Sequence, residues 1–293
     1  MNMLSVVIPT HNRCETLKKA ISAYQSQSAA QQISEIIVVD DGSTDLTPTV
    51  VNQLVGESSV AIRYFRQENK GPAAARNVGI REAASALILF TDDDIIPERD
   101  LVTQHLKMHA TYPAETAAIL GFVTWSADLE PTPFMQWYGS EILFSFRELT
   151  DKTEIDHRYF YTCNISLKRD FLRREGMFDE DFKVAAFEDI ELGFRLSTAG
   201  MRLFYNSEAV AYHDQYISFR DACKRYRKSA AAAAVFRQKD GGRQLDHAVW
   251  ETSPGKNRLK RCLAPALYPF KSLVDGRIPL PAGLYRTMFR IYR

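Results

Sequence analysis

Cysteine is scarce and scattered. Cys14, Cys163, Cys223 and Cys262 are spread over 293 residues with no CxxC pair and no Cys/His spacing, which excludes a structural zinc site and a disulfide framework and fits a reducing compartment. Long apolar runs are also missing. A spanning helix needs roughly 18 to 20 such residues, and Ala230–Phe236 falls far short, so the chain is expected not to cross a membrane. The opening Met-Asn-Met-Leu-Ser enters a strand pattern with no basic n-region or cleavage site, so no signal peptide is read and a cytoplasmic location is expected. There is no internal repeat and no long low-complexity segment. Net charge is nearly absent too: Lys and Arg number 37 against 36 Asp and Glu.

What is present is ordinary in bulk. A hydrophobic share of 45% and a charged share of 25% belong to soluble globular chains rather than disordered or fibrous ones. The length suits one large α/β domain, or a domain with a smaller appendage. The charge is unevenly placed. From Lys256 onward come Arg258, Lys260, Arg261, Lys271, Arg277, Arg286, Arg290 and Arg293 against Asp275 alone. Such a tail suits phosphate, an anionic membrane or an acidic partner, or is simply a solvated face. Tyr285, Phe289 and Tyr292 would then accompany the basic residues onto a membrane surface. The basic residues form no recognised nucleic-acid motif.

Leu4–Pro9, Ile36–Val39 and Leu87–Phe90 are continuously apolar rather than alternating, so both faces of each strand should be buried. With helical patterns between them, this predicts a parallel sheet covered by helices. Asn12 and Glu15 have capping-box spacing, and Thr47-Pro48, Gly71-Pro72 and Ile96-Pro97 each place proline at a helix start. Further strands are expected at Ala117–Trp125, Tyr159–Leu167 and Leu203–His213. Helices are expected up to Gly176, over Glu188–Ala199 and over Phe219–Lys239, after which prolines 254, 265, 269, 279 and 281 break the chain.

In an open parallel sheet ligands bind beyond the carboxyl ends of the strands. Three polar clusters stand there: Pro9-Thr10-His11-Asn12-Arg13, Asp40-Asp41-Gly42-Ser43-Thr44-Asp45, and Asp92-Asp93-Asp94. The second is equally the composition of a turn or cap. The third is harder to explain structurally, because adjacent carboxylates repel unless a cation neutralises them. A hard ion such as Mg²⁺ or Mn²⁺ fits, with one or two carboxylates and a shell completed by phosphate and water; an exposed acidic turn is the alternative.

Taken in order, Val6–Arg13, Ile37–Asp45, Asn69–Gly79, Phe90–Asp94 and Phe187–Leu196 resemble the inverting family 2 glycosyltransferases, over Ser5 to about His213. The resemblance implies a GT-A fold: a Rossmann-like, mixed, mostly parallel sheet flanked by helices. It implies a catalytic, nucleotide-sugar-binding domain over residues 1–215 and leaves a basic, helical C-terminal extension at 216–293. It implies transfer of a sugar from a nucleotide-sugar donor, UDP-linked by preference, to a glycan or lipid-linked glycan acceptor, as in polysaccharide biosynthesis, with Mn²⁺ or Mg²⁺ as cofactor. Peripheral membrane contact through the tail and homo-oligomerisation are compatible with it.

By that resemblance Asp40 accepts a hydrogen bond from N3–H of a uracil-like base, and Pro9, Thr10, His11, Asn12 and Arg13 line the nucleotide, with His11 against the base plane. Arg76, in the first turns of a helix, meets the diphosphate or else forms a helical salt bridge. Asp92 approaches the ribose, Asp93 lies between with a less definite part, and Asp94 holds the metal with His213 as a further ligand. Asp189 is the general base and Glu188 positions it or binds acceptor. Trp125, Trp137, Tyr138 and Tyr161 either stack on sugars or fill cores, and Cys163-Asn164 stands where the family lines the sugar pocket. A sugar nucleotidyltransferase would open with a glycine-rich loop that Val6–Arg13 lacks, and a DxDxT phosphatase needs a Thr where Ile96 stands. A binding module without turnover is the remaining alternative.

Overall fold

The computed structural model describes residues 3–240, 242 and 274–292. In chain order the main elements are β1 (Leu4–Thr10), α1 (Cys14–Gln25), β2 (Ile33–Asp40), α2 (Thr47–Glu57), β3 (Ile62–Arg66), α3 (Pro72–Glu82), β4 (Leu87–Thr91), β5 (Ile95–Pro97), α4 (Leu101–Thr111) and β6 (Ala117–Trp125). They continue with α5 (Pro133–Tyr138), β7 (Glu154–Ile155), β8 (Asn164–Lys168), α6 (Arg169–Arg174), α7 (Glu188–Thr198), β9 (Arg202–His213), α8 (Phe219–Gln238) and, last, α9 (Ala282–Tyr292).

The continuous apolar runs do form buried parallel strands. The order is β3-β2-β1-β4-β8-β6-β9-β5, with β7 on β9. The first four are mutually parallel. The rest is mixed: β8 runs antiparallel to both β4 and β6, and β6 is parallel to β9. Register then places chemistry. Thr10 stands opposite Asp40 and Val7 opposite Phe90, so β1, β2 and β4 end at one edge and the polar residues that follow them meet there.

Several local expectations are corrected. Ile96-Pro97 does not open a helix; it ends β5, paired antiparallel with β9 through Pro97 and Ala211. On the sheet's last strand a proline withdraws no donor that the ladder needs, and α4 starts later, at Leu101. Tyr159–Leu167 is not one strand, because the Asp156 side chain accepts the Arg158 N–H and winds His157–Tyr159 into a tight 3₁₀ turn; β8 begins at Asn164. Asn12 makes no capping box: its φ is 55°, and its side-chain oxygen accepts from the backbone N–H of Thr44 and Asp45, tying the loop after β1 to the loop after β2.

A second core lies beside the sheet. Phe134, Trp137 and Tyr138 of α5 pack with Phe219 and Cys223 of α8 and with Tyr285, Met288 and Phe289 of α9. Fully burying one such side chain contributes about 1.5–3 kcal/mol. Trp137, Tyr138, Tyr285 and Phe289 are therefore core residues, not sugar platforms or membrane anchors. The side chain of Tyr292, together with Cys262, the basic run from Lys256 to Lys271, Arg293 and prolines 254, 265 and 269, lies outside the described residues. No described helix is long and apolar enough to cross a membrane.

Candidate active site

Beyond the shared edge of β1, β2 and β4 opens a cleft of about 990 Å³, lined among others by Pro9, Thr10, His11, Arg13, Arg76 and Asp92, and by Asp93, Asp94 and His213. The triplet forms a turn between β4 and β5, closed by the Ile95 N–H donating to the Asp92 carbonyl. Its three side chains take different partners. Asp92 accepts from Arg76 at 2.8 Å. Asp93 accepts from the Thr10 hydroxyl at 2.7 Å and from Arg13 at 3.1 Å. Asp94 accepts from the same Arg13 nitrogen and faces His213 Nε2 at 3.7 Å.

Arg13 is thus the internal counter-ion for two buried acids, which like charges in one place require. The two acids are shifted in opposite directions. Burial, and next the charge of Asp94, push the Asp93 carboxyl up to about 7. Burial would raise Asp94 as well, but His213, Arg13 and Arg225 outweigh it and hold Asp94 below the usual carboxylate value.

His213, at the end of β9, is fixed by its pairing with Ile95 and by Trp125, whose ring centre is 5.1 Å from its own. Burial keeps its imidazole below the ordinary value despite the charge of Asp94. Its Nδ1 is buried without a hydrogen-bond partner, while Nε2 looks at Asp94. An imidazole beside a carboxylate, both lining the cleft, is a donor set that fits Mn²⁺ or Mg²⁺. Among the described residues no three His, Cys, Asp or Glu side chains converge as a metal site, so protein would give two ligands and phosphate and water the others.

Arg76, on α3, is buried and bridges two elements. One terminal nitrogen donates to Asp92 and the other to Glu188 at 2.9 Å. Burial opposes its charge, but Asp92 and Glu188 raise its pKa above the usual value. Glu188 opens α7 after Phe187, which holds a left-handed φ of 68°, a conformation costly for a bulky side chain. Asp189 follows, partly exposed, with Oδ1 accepting from its neighbour's N–H, that of Ile190. Burial, then the charge of Glu188, push the Asp189 carboxyl up to about 7. Burial raises the Cys163 thiol and the Tyr161 phenol, with Asp92 and then Asp189 adding to the first and Asp189 to the second.

The base-binding expectations fare unevenly. Asp40 is turned inward, fully buried, and accepts from the Ser43 N–H and the Tyr64 hydroxyl. Asp41 lines the cleft instead, its carboxylate accepting from Gln67 Nε2 and the N–H groups of Lys70 and Gly71. Gly71 is required there: its φ is +93°, and a Cβ would stand 2.8 Å from the Lys183 carbonyl oxygen. His11 lies on the cleft, with its Nδ1 2.9 Å from the Asp41 carbonyl, whereas Asn12 serves the loops. Asn164 is also structural, donating to the carbonyls of Phe122 and Ala209.

Sequence reasoning singled out Asp40 from a cluster that also held Asp41, and missed Gln215 and the α8 residues Lys224, Arg225 and Lys228; Asp41 and these four are on the cleft. For α8 a signal existed: Asp221, Lys224, Arg225 and Lys228 recur at i, i+3, i+4 and i+7, one face of a helix.

Residues 5–176 match the model for Glycosyl transferase family 2. Validoxylamine A glucosyltransferase of Streptomyces hygroscopicus subsp. jinggangensis is 32% identical over 231 residues, which cover 71% of this chain and 54% of that protein. Pre-mycofactocin glycosyltransferase of Mycobacterium tuberculosis is 28% identical over 235 residues, 79% of this chain and 47% of that protein. The chain spans about half the length of these curated relatives. Among solved structures, S. aureus TarS 1-349 is similar with a TM-score of 0.60 at 17% identity, over 99% of this chain and 91% of that one. The mannosyltransferase PcManGT of Pyrobaculum calidifontis has a TM-score of 0.56 at 18% identity, over 98% and 87%. These likenesses establish the fold, a curled mixed sheet between helices of the GT-A kind.

Proposed function

The chain belongs to glycosyl transferase family 2, and we propose that it moves a sugar, with inversion, from a nucleoside-diphosphate sugar to an acceptor hydroxyl of a glycan or lipid-linked glycan. One observation carries this reading: the acid triplet, its counter-ion Arg13 and the Asp94–His213 pair share a cleft to which Arg76 fastens the start of α7. Solved structures of the same fold hold UDP, UDP-GlcNAc, or GDP-Man with Mn²⁺, which supports a nucleotide-sugar donor.

The base lies against His11, and Asp41 accepts its N–H in place of Asp40, a reading supported by Asp41 lining the cleft while Asp40 is buried. Asp92, side chain 32% exposed, faces the ribose while Arg76 holds it. Thr10 and Arg13 fix the carboxylates of Asp93 and Asp94. A divalent cation held by Asp94 and His213 would supply Lewis-acid neutralisation of the departing diphosphate.

Asp189 removes the acceptor proton. With Oδ1 engaged by the Ile190 N–H, Oδ2 takes the proton as the acceptor oxygen bonds to the anomeric carbon and the bond from that carbon to the phosphate oxygen breaks. A carboxyl near 7 is suited to a base at neutral pH. Glu188 touches Arg76 and acts by positioning α7. Helix α8 is part of the working unit, since its residues wall the cleft.

The test is direct. The purified chain is incubated with UDP-, GDP- and dTDP-sugars, Mn²⁺ and a panel of glycan acceptors, and nucleoside diphosphate release is followed. Metal-dependent release with sugar incorporated into one acceptor is the expected result. Tight binding with no turnover across the panel would replace this reading by a binding module.

A further inference from the structure

The two guanidinium groups that touch the acid triplet are already committed. Arg13 donates to Asp93 and Asp94, and Arg76 donates to Asp92 and Glu188. Neither brings spare positive charge to a donor whose diphosphate carries about two negative charges, and burying phosphate oxygens without partners is costly.

Helix α8 holds the missing charge. Lys224, Arg225 and Lys228 share the face that lines the cleft. Lys224 is 3.6 Å from Asp221 one turn earlier, whereas no acidic partner of Arg225 or Lys228 is found among the described residues, and both are exposed. Arg225 and Lys228 line the same cleft as Asp94 and His213. The face is also rigidly presented. Ser218 caps the helix by accepting the Asp221 N–H, and Phe219, Ala222 and Cys223, on the opposite side, are buried in the aromatic core.

We propose that Arg225 and Lys228 clamp the diphosphate of the donor, so that α8 supplies the phosphate-binding cations that Arg76, spent on Asp92 and Glu188, does not. This rests on the nucleotide-sugar reading above and assigns the part of the chain that carries no family motif. An anionic acceptor is the competing occupant of the same cations. The diphosphate is favoured because the two cations share one cleft with the acid triplet and His213, where a bound cation would draw phosphate.

Calorimetry with UDP and with uridine, each in Mn²⁺, separates the possibilities on wild type, Arg225→Ala, Lys228→Ala, the double variant and Arg225→Lys. Each lost cation is expected to weaken UDP about tenfold, the scale of one charge-assisted contact, while uridine affinity stays unchanged and reports an intact site. Arg225→Lys should fall between. The salt dependence of UDP binding should be shallower in the double variant. Unchanged UDP affinity in the double variant overturns the proposal, and a rise confined to the acceptor KM assigns the cations to the acceptor instead. Should wild type bind none of UDP, GDP and dTDP, the donor reading itself falls, a result distinct from either.

Discussion

Arg76 donates to Glu188 at 2.9 Å across the space between α3 and α7, and its other terminal nitrogen holds Asp92 after β4. One buried cation therefore fixes the distance between Asp92 and the start of α7. Glu188 is buried with its Oε2 unpartnered, and among the described residues Arg76 is its ion-pair partner.

Arg76→Ala is expected to destabilise the protein by about 3–5 kcal/mol, because truncating one partner strands a buried charge. Urea unfolding measures this. Adding Glu188→Gln to Arg76→Ala should recover part of the loss, since a neutral amide tolerates burial better. A double variant no more stable than Arg76→Ala would contradict the bridging role.

Much of this site was legible in the sequence, and the illegible part has a common cause. The triplet's place followed from the apolar run ending at Thr91, which local pattern reports. Asp40 and Asp41 could not be told apart, because which of two adjacent acids faces the cleft is decided by where β2 stops pairing with β3, at Asp40 and Arg66. Asn12 has the look of a cap, yet its partners Thr44 and Asp45 come from another loop. The Arg76 bridge and the α8 wall likewise join segments distant in sequence; the spacing in α8 marks a cationic face, but no periodicity within one segment says what that face meets.

Asp189→Asn should reduce turnover by about 10²–10⁴-fold, the usual contribution of a general base, with donor affinity little changed. The wild-type rate should fall on acidifying below about 7, where Asp189 takes up a proton. Stability moves the other way. The folded pKa of Asp189 is raised above its unfolded value, so the folded state binds the proton more tightly, and stability declines as pH rises through that window. Asp189→Asn should therefore be the more stable protein at pH 8, with the advantage shrinking by pH 5. Melting curves at both pH values check the sign.

Asp94→Asn and His213→Ala should each raise the Mn²⁺ concentration for half-maximal activity by at least about tenfold, since each removes one of the two proposed protein ligands. Chelation of wild type should abolish turnover, and added Mn²⁺ should restore it. If both variants keep the wild-type metal requirement, the assigned pair is wrong even where the enzyme reading stands.

A buried wire of hydrogen bonds under the sheet predicts acid sensitivity of another origin. Asn164 Oδ1 must accept, because its amide nitrogen donates to Phe122 and Ala209; His105 Nε2 therefore donates to it at 2.9 Å. His105 Nδ1 then accepts from the Ser166 hydroxyl, His109 Nε2 donates to that oxygen, and His109 Nδ1 accepts from Lys168. Every direction is fixed, and both rings are neutral. Burial pushes His105 down to about 4, and burial with the charge of Lys168 pushes His109 down to about 2. A histidine with a lowered folded pKa binds its proton more readily when unfolded, so stability is full above about 6.5 and is lost as pH falls toward 4. His105→Gln should lower stability at pH 7 by about 1–3 kcal/mol through the broken wire, yet leave a flatter dependence between pH 6.5 and 4. Parallel urea-unfolding profiles for wild type and variant would rule out this origin if their slopes against pH were the same.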